Sequence, residues 1–170
     1  MNLEFITNIP IDLGVKLFHL PLNYTKISNE ILSKQLIRLS DSSVYSLFED
    51  TQFLFDTGSE SEFFLKKITK FFKEENLEIK NIWTHIHQPL ESTNTHNHGP
   101  FPGNFSFVFY VKVPVNSGKL VFSLEFQPIK SIFPVEGNLI IFPSWLPHYV
   151  TKNLSDDTRI SISGNLVPIK

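Results

Sequence analysis

From residue 78 onward the chain is a succession of short apolar segments cut apart by turn residues, a pattern that few folds accept. Candidate strands cover residues 78–87, 93–97, 104–113, 119–126, 131–135, 138–142, 147–152 and 158–166. Turn signals such as Asn116-Ser117-Gly118 and Glu136-Gly137-Asn138 separate them. Eight short strands leave many unpaired edges unless they close into a barrel or a double sheet. The expectation is a jelly roll, with an open mouth between its two sheets that suits a small ligand. The 17 Phe residues agree with it, because aromatic side chains suit pleated, well-packed sheets.

Upstream, residues 13–20 alternate well enough for a strand. Ser28 is expected to cap a helix whose apolar positions Leu32, Leu36 and Leu39 follow helical spacing. A second helix is expected over residues 59–76. There Ser59 and Glu62 form a capping box, and Phe64, Leu65, Ile68, Phe71 and Phe72 make one apolar stripe. No linker or repeat divides the 170 residues. The reading is therefore one domain, mainly β with N-terminal helices. Residues 1–80 supply a strand and supporting helices, and residues 81–167 form the β core.

Net charge is −2, so no basic field invites nucleic acid. The absence of cysteine excludes disulfides, cysteine-based zinc sites and a thiol nucleophile. No apolar run reaches a membrane span, and Met-Asn-Leu-Glu-Phe does not start like a signal peptide. The expected setting is cytoplasmic, without a membrane.

Candidate chemistry sits in the strands. His96 and His98 are two apart, so on an extended segment they face the same side. His148 follows the turn Phe142-Pro143-Ser144-Trp145-Leu146-Pro147 and opens a later strand. Imidazole is the commonest metal ligand, and three of them suffice for a mononuclear centre. Each histidine alone also fits a plain surface or barrel-edge role. Arg159, Ser161, Ser163 and Asn165 form the polar side of an alternating strand. Turned into the mouth, the guanidinium would take a carboxylate with two charge-assisted hydrogen bonds. His85 and His87 form a second pair on the strand after Trp83, which could compete as a metal pair or line the pocket.

Together these blocks resemble the iron(II)/2-oxoglutarate-dependent oxygenases. The likeness runs from Asn81 to Asn165 and looks most like a branch of small oxygenases common in marine bacteria and their phages. That branch reads W-x-N, H-x-H, S-G-V-Y-Y-V-K-V-P, F-P-S-W-L-x-H and R-x-S-x-S-x-N. Here the blocks are Trp83-Thr84-His85, His96-Asn97-His98, Ser106 to Pro114, Phe142 to His148 and Arg159 to Asn165. The resemblance implies a double-stranded β-helix, a jelly-roll variant with iron(II) in its mouth. Its cofactors would be iron(II), 2-oxoglutarate and dioxygen, and its products a hydroxylated small-molecule or peptidyl substrate, succinate and carbon dioxide. It implies His96, His98 and His148 as metal ligands, and Arg159 as the group for the distal carboxylate. Ser161, Tyr110, His85 and Asn165 would help to bind the co-substrate. If the chain is phage-encoded, the setting would be the host cytoplasm.

Three departures stand out. His98 replaces the usual Asp or Glu, giving a less anionic centre and, with no small residue there, arguing against halogenation. Phe107 and Phe109 replace a glycine and a tyrosine, which implies an altered pocket wall. His85 replaces an asparagine. Two other classes share the barrel: a cupin-like isomerase or 2-oxoglutarate-independent dioxygenase, and a non-enzymatic jelly-roll binding module. Arg159 separates the first, since a cupin has no need of an arginine beside its metal, and the glutamate expected soon after H-x-H is absent. Metal and 2-oxoglutarate binding separate the second.

Overall fold

The computed structural model describes residues 13–33, 58–101, 103–125 and 127–170, together with the backbone of 37–38 and 44–46. In chain order the elements are β1 (Lys16–His19), α1 (Tyr24–Ser33), β2 (Ile37–Arg38), β3 (Val44–Ser46), α2 (Glu60–Glu74), β4 (Leu77–His87) and β5 (Thr93–His96). They continue as β6 (Phe105–Lys112), β7 (Leu120–Leu124), β8 (Gln127–Ile132), β9 (Asn138–Pro143), β10 (His148–Val150) and β11 (Arg159–Pro168). Two antiparallel sheets result, ordered β1-β9-β6-β11-β4-β3-β2 and β5-β10-β7-β8. From β4 onward the chain passes back and forth between them, winding a double-stranded β-helix, the jelly-roll variant that the family resemblance implies.

The large sheet is buried on both faces, which explains why its strands read as continuous apolar runs. Along β6, Phe107, Phe109 and Val111 join the cluster beneath the helices, while Val108 and Tyr110 join the cluster between the sheets. Phe109 therefore packs on Phe64, with ring centroids 4.5 Å apart, and takes no part in the pocket wall. Phe107 borders the cavity but sets its ring against Phe72 at 5.2 Å. The altered wall expected from these two residues is mainly an altered contact with the helices.

Helix α2 matches its sequence signature. The backbone N–H of Glu62 donates to Ser59 Oγ at 3.0 Å, and Phe64, Ile68 and Phe72 are fully buried. The Glu62 carboxylate reaches back one residue further than a capping box requires, accepting from Gly58 N–H at 2.6 Å. Helix α1 begins earlier than expected. Asn23 Oδ1 accepts from Lys26 N–H at 3.0 Å, so Asn23 takes the capping role. Ser28 is buried within the helix beside Ile27 and Ile31, and Leu32 is half exposed. Leu36 and Leu39 lie outside the described residues.

One strand is displaced. Residues 131–135 were expected to pair, but β8 ends at Ile132, and Phe133 and Val135 project into solvent. Glu125 takes a positive φ of 47°, closing β7 at Leu124 with a tight turn and drawing β8 forward. Among the described residues no helix is long and apolar enough to cross a membrane.

The packing predicts a contrast on α2. Phe64→Ala should lower the unfolding free energy by about 3–5 kcal/mol, as for a fully buried ring. Phe63→Ala, at a residue 48% exposed, should cost less than about 1 kcal/mol. Urea denaturation of the two variants measures both.

Candidate metal centre and anion pocket

The three candidate ligands meet because β5 and β10 are neighbours. His148 lies directly across from His96 in the antiparallel register. His98 follows just beyond β5, where its N–H donates to Ser144 O at 2.8 Å and ties this loop to the turn before β10. One nitrogen from each of His96, His98 and His148 lies within 4.8 Å of the others. His96 Nδ1 is 2.8 Å from Asn94 O and His148 Nδ1 is 2.9 Å from Leu146 O. A carbonyl only accepts, so both Nδ1 atoms carry the proton, and each Nε2 presents its lone pair.

Burial, and then the neighbouring His96, push the His148 imidazole down to about 3 and His98 down to about 4. Both are neutral at pH 7, the form that binds metal. Three imidazoles at this spacing suit one divalent transition ion, and the cluster contains no carboxylate.

Beside the cluster lies Arg159, only 1% exposed. Its register explains its company. Along β4, Arg159, Ser161 and Ser163 face His87, His85 and Trp83, and along β6 Ser161 faces Tyr110. All of these side chains border the same cavity as the three histidines. Arg159 Nη1 donates to Ser117 O at 2.8 Å and Nη2 to His87 Nδ1 at 2.9 Å. Nε is buried without a partner. Among the described residues, no carboxylate pairs with this guanidinium. Burial lowers its pKa, although arginine remains charged throughout the working range. Burial also pushes Tyr110 up to about 12, keeping its hydroxyl protonated.

Gly118 shapes the support under Arg159. It has a φ of +85°, and a Cβ there would run into the carbonyl oxygens of Thr151 and Lys152. Only glycine lets the Ser117-Gly118 turn lie this close and keep the Ser117 carbonyl on the guanidinium.

Of the residues singled out from the sequence, His96, His98, His148, Arg159, Ser161, Tyr110 and His85 come together around one cavity. Asn165 does not. Its Oδ1 accepts from Ser106 Oγ at 2.9 Å and its N–H donates to Asn81 Oδ1 at 3.2 Å, so it fastens β11 to its two neighbours. Sequence reasoning gave no task to Trp83 or Thr93, and for His87 it gave no partner, whereas the structure sets it between Arg159 and Thr93. The available signal was alternation, which puts Trp83, His85 and His87 on one face of a strand.

Residues 122–165 match the family model described as "Putative 2OG-Fe(II) oxygenase". Among curated proteins no sequence matches this chain. Solved structures share the fold. A Pseudomonas putida prolyl-4-hydroxylase is 16% identical with a TM-score of 0.66, the match covering 92% of this chain and 94% of that one. A prolyl hydroxylase from Trichoplax adhaerens, solved in complex with a hypoxia inducible factor oxygen degradation domain peptide fragment, is 15% identical. Its TM-score is 0.67, with 92% and 84% covered. The non-heme alpha ketoglutarate dependent carbocyclase SnoK from nogalamycin biosynthesis is 11% identical with a TM-score of 0.69, over 92% and 80%. The resemblance to the iron(II)/2-oxoglutarate-dependent oxygenases read from the motifs is borne out at that level. Residues 122–165 carry the 2OG-Fe(II) oxygenase signature, and the described chain has the fold of these enzymes.

The buried imidazoles predict acid sensitivity of the metal-free protein. Burial pushes His85 to about 3, His87 to about 2 and His148 to about 3, against roughly 6.5 in the unfolded chain. The unfolded state takes up protons first, so stability is full above pH 6.5 and falls as the pH drops toward 3. Between pH 7 and 5 each such histidine should remove roughly 2 kcal/mol. Thermal melting of the metal-stripped protein should show a steep loss over that interval. His87→Gln, which no longer titrates, should flatten it.

Proposed function

We propose that the protein is an iron(II)- and 2-oxoglutarate-dependent dioxygenase that hydroxylates a C–H bond of its substrate. This is the chemistry of the family whose signature it carries over residues 122–165. The observation that carries the reading is Arg159, a fully buried cation with an unpaired Nε beside a three-histidine cluster. A buried guanidinium without a carboxylate partner is costly unless a ligand supplies one. 2-Oxoglutarate supplies a carboxylate at each end.

In this reading His96, His98 and His148 hold the metal through one ring nitrogen each. Asn94 O and Leu146 O fix the rings of His96 and His148 by accepting from Nδ1–H. Arg159 takes the distal carboxylate, and Ser161 on the same strand and Tyr110 on the adjoining β6 offer hydroxyls. Iron(II) with 2-oxoglutarate and dioxygen supplies the oxidising power, releasing succinate and carbon dioxide, and the protein supplies orientation and a dry enclosure. The substrate is a small molecule or a peptidyl side chain. The cytoplasm, where a chain without cysteine loses nothing, is the proposed setting.

The test is succinate formation from 2-oxoglutarate with iron and ascorbate, combined with anaerobic calorimetry. Arg159→Ala should weaken 2-oxoglutarate binding by at least about tenfold, since breaking a buried charged pair costs about 3–5 kcal/mol and 1.4 kcal/mol is one decade. It should leave iron bound. Arg159→Lys should recover only part, because an ammonium lacks the forked geometry. His148→Ala should lose most metal by elemental analysis. His98→Ala should bind metal more weakly, and His98→Asp should retain it. Absence of 2-oxoglutarate binding in the parent would favour a cupin-like metalloprotein instead.

A further inference from the structure

Two buried histidines of β4 face the site, and their hydrogen bonds define which nitrogen of each carries the proton. A guanidinium only donates. Arg159 Nη2 lies 2.9 Å from His87 Nδ1 and 3.5 Å from its Nε2, so Nδ1 is the acceptor. The proton is then on Nε2, which donates to Thr93 Oγ1 at 2.8 Å. An indole N–H also only donates. Trp83 Nε1 lies 2.9 Å from His85 Nε2, so in His85 the proton sits on Nδ1. That Nδ1–H is buried and has no partner. The two rings stack with centroids 5.5 Å apart and planes 16° from parallel.

We infer that His85 and His87 are held in opposite tautomers with different tasks. His87 is a positioning residue that accepts from Arg159 and braces it against β5. His85 is a binding residue that offers Nδ1–H to an anionic ligand in the cavity. The identity of that ligand as 2-oxoglutarate rests on the dioxygenase reading, but the tautomers do not.

Three features support the assignment. Two fully buried donors without a partner line the cavity, His85 Nδ1–H and Arg159 Nε–H, on adjacent strands, and both call for an acceptor. His87 joins Arg159 to Thr93, three residues before His96 on the same strand, so the anion-binding group and a metal-binding strand share one chain of hydrogen bonds. Trp83 bonds His85 and also packs its ring 5.4 Å from His98. One indole therefore sets the tautomer of His85 while touching the metal cluster.

The direct test is long-range proton–nitrogen NMR correlation on isotope-labelled, zinc-loaded protein, with His85→Gln and His87→Gln as assignment controls. The expected result is the Nδ1–H form for His85 and the Nε2–H form for His87. The same tautomer in both, or the reverse pair, overturns the inference. Trp83→Phe keeps a ring against His98 but removes the N–H. The His85 signal should shift toward a mixture of tautomers, with zinc affinity unchanged. An unaltered His85 signal overturns the role of Trp83.

Calorimetry on the manganese-loaded variants tests the tasks. His87→Leu should weaken 2-oxoglutarate binding by at least about tenfold, the scale of one hydrogen bond to a charged group. His87→Gln should recover most of it, since an amide can accept from Arg159 and donate to Thr93. Metal affinity should hold in both. Parental affinity in His87→Leu overturns the positioning role, and parental affinity in His85→Leu overturns the binding role. If the parent binds no 2-oxoglutarate, the dioxygenase reading fails and the tautomer measurement still decides this inference.

Discussion

Strand β11 is hydrogen-bonded along both edges, to β4 on one side and β6 on the other, and the site depends on the register of that double pairing. Successive residues alternate faces, so a slip of one position would turn Arg159, Ser161 and Ser163 away from the cavity. Burial prevents the slip. Ile160, Ile162 and Leu166 are locked into the cluster beneath the helices, and the polar row has no other direction to face. The apolar half of β11 thus enforces the placement of its polar half. The same register brings His87, His85 and Tyr110 alongside without any contribution from loops.

Electrostatics then explain why these residues work as a set. The cavity gathers five imidazoles and one guanidinium, with no carboxylate among its described lining residues. Desolvation holds His85, His87, His98 and His148 neutral, and Arg159 is the permanent charge of the pocket. Its described partners are dipoles: the Ser117 carbonyl and the His87 ring. Dipoles soften the burial of a cation without cancelling it. A ligand anion completes the arrangement, and a divalent metal on three neutral ligands adds to the same demand. A centre with a carboxylate in place of His98 would satisfy part of it from within.

The sequence made much of this legible. Alternation exposed the strands of the double sheet and picked out His96, His98, His148 and Arg159, but the fold sets them on two different sheets, the histidines at β5 and β10 and the arginine on β11. What it hid was of a different kind. The start of α1 was misplaced because Ser28 and Asn23 are both capping residue types, and only packing decides which lies at the helix entrance. β8 was drawn too late because the turn that advances it uses Glu125 at positive φ, a residue type that does not announce one. Asn165 shares the polar row of β11, but a bulge after it alters the pairing with β4, and its amide is used between strands. The roles of His85 and His87 depend on which donor stands against each ring, which spacing alone does not tell.

The two phenylalanines of β6 show how the helices and the site constrain one another. In the antiparallel register Phe107 lies opposite Gly164. A Cβ on Gly164 would come within 2.5 Å of the Phe107 ring and the same distance of the Asn81 carbonyl oxygen. The large side chain on one strand therefore requires the missing one on the next. With that space granted, Phe107 reaches Phe72, and Phe109 two residues on reaches Phe64, so α2 is seated on β6 by two aromatic contacts. Side chains alternate, so the residues between and beyond them, Val108 and Tyr110, are pressed toward the opposite sheet. Helix α2 never touches the three-histidine cluster, yet its packing fixes the face that Tyr110 presents to Arg159 and Ser161.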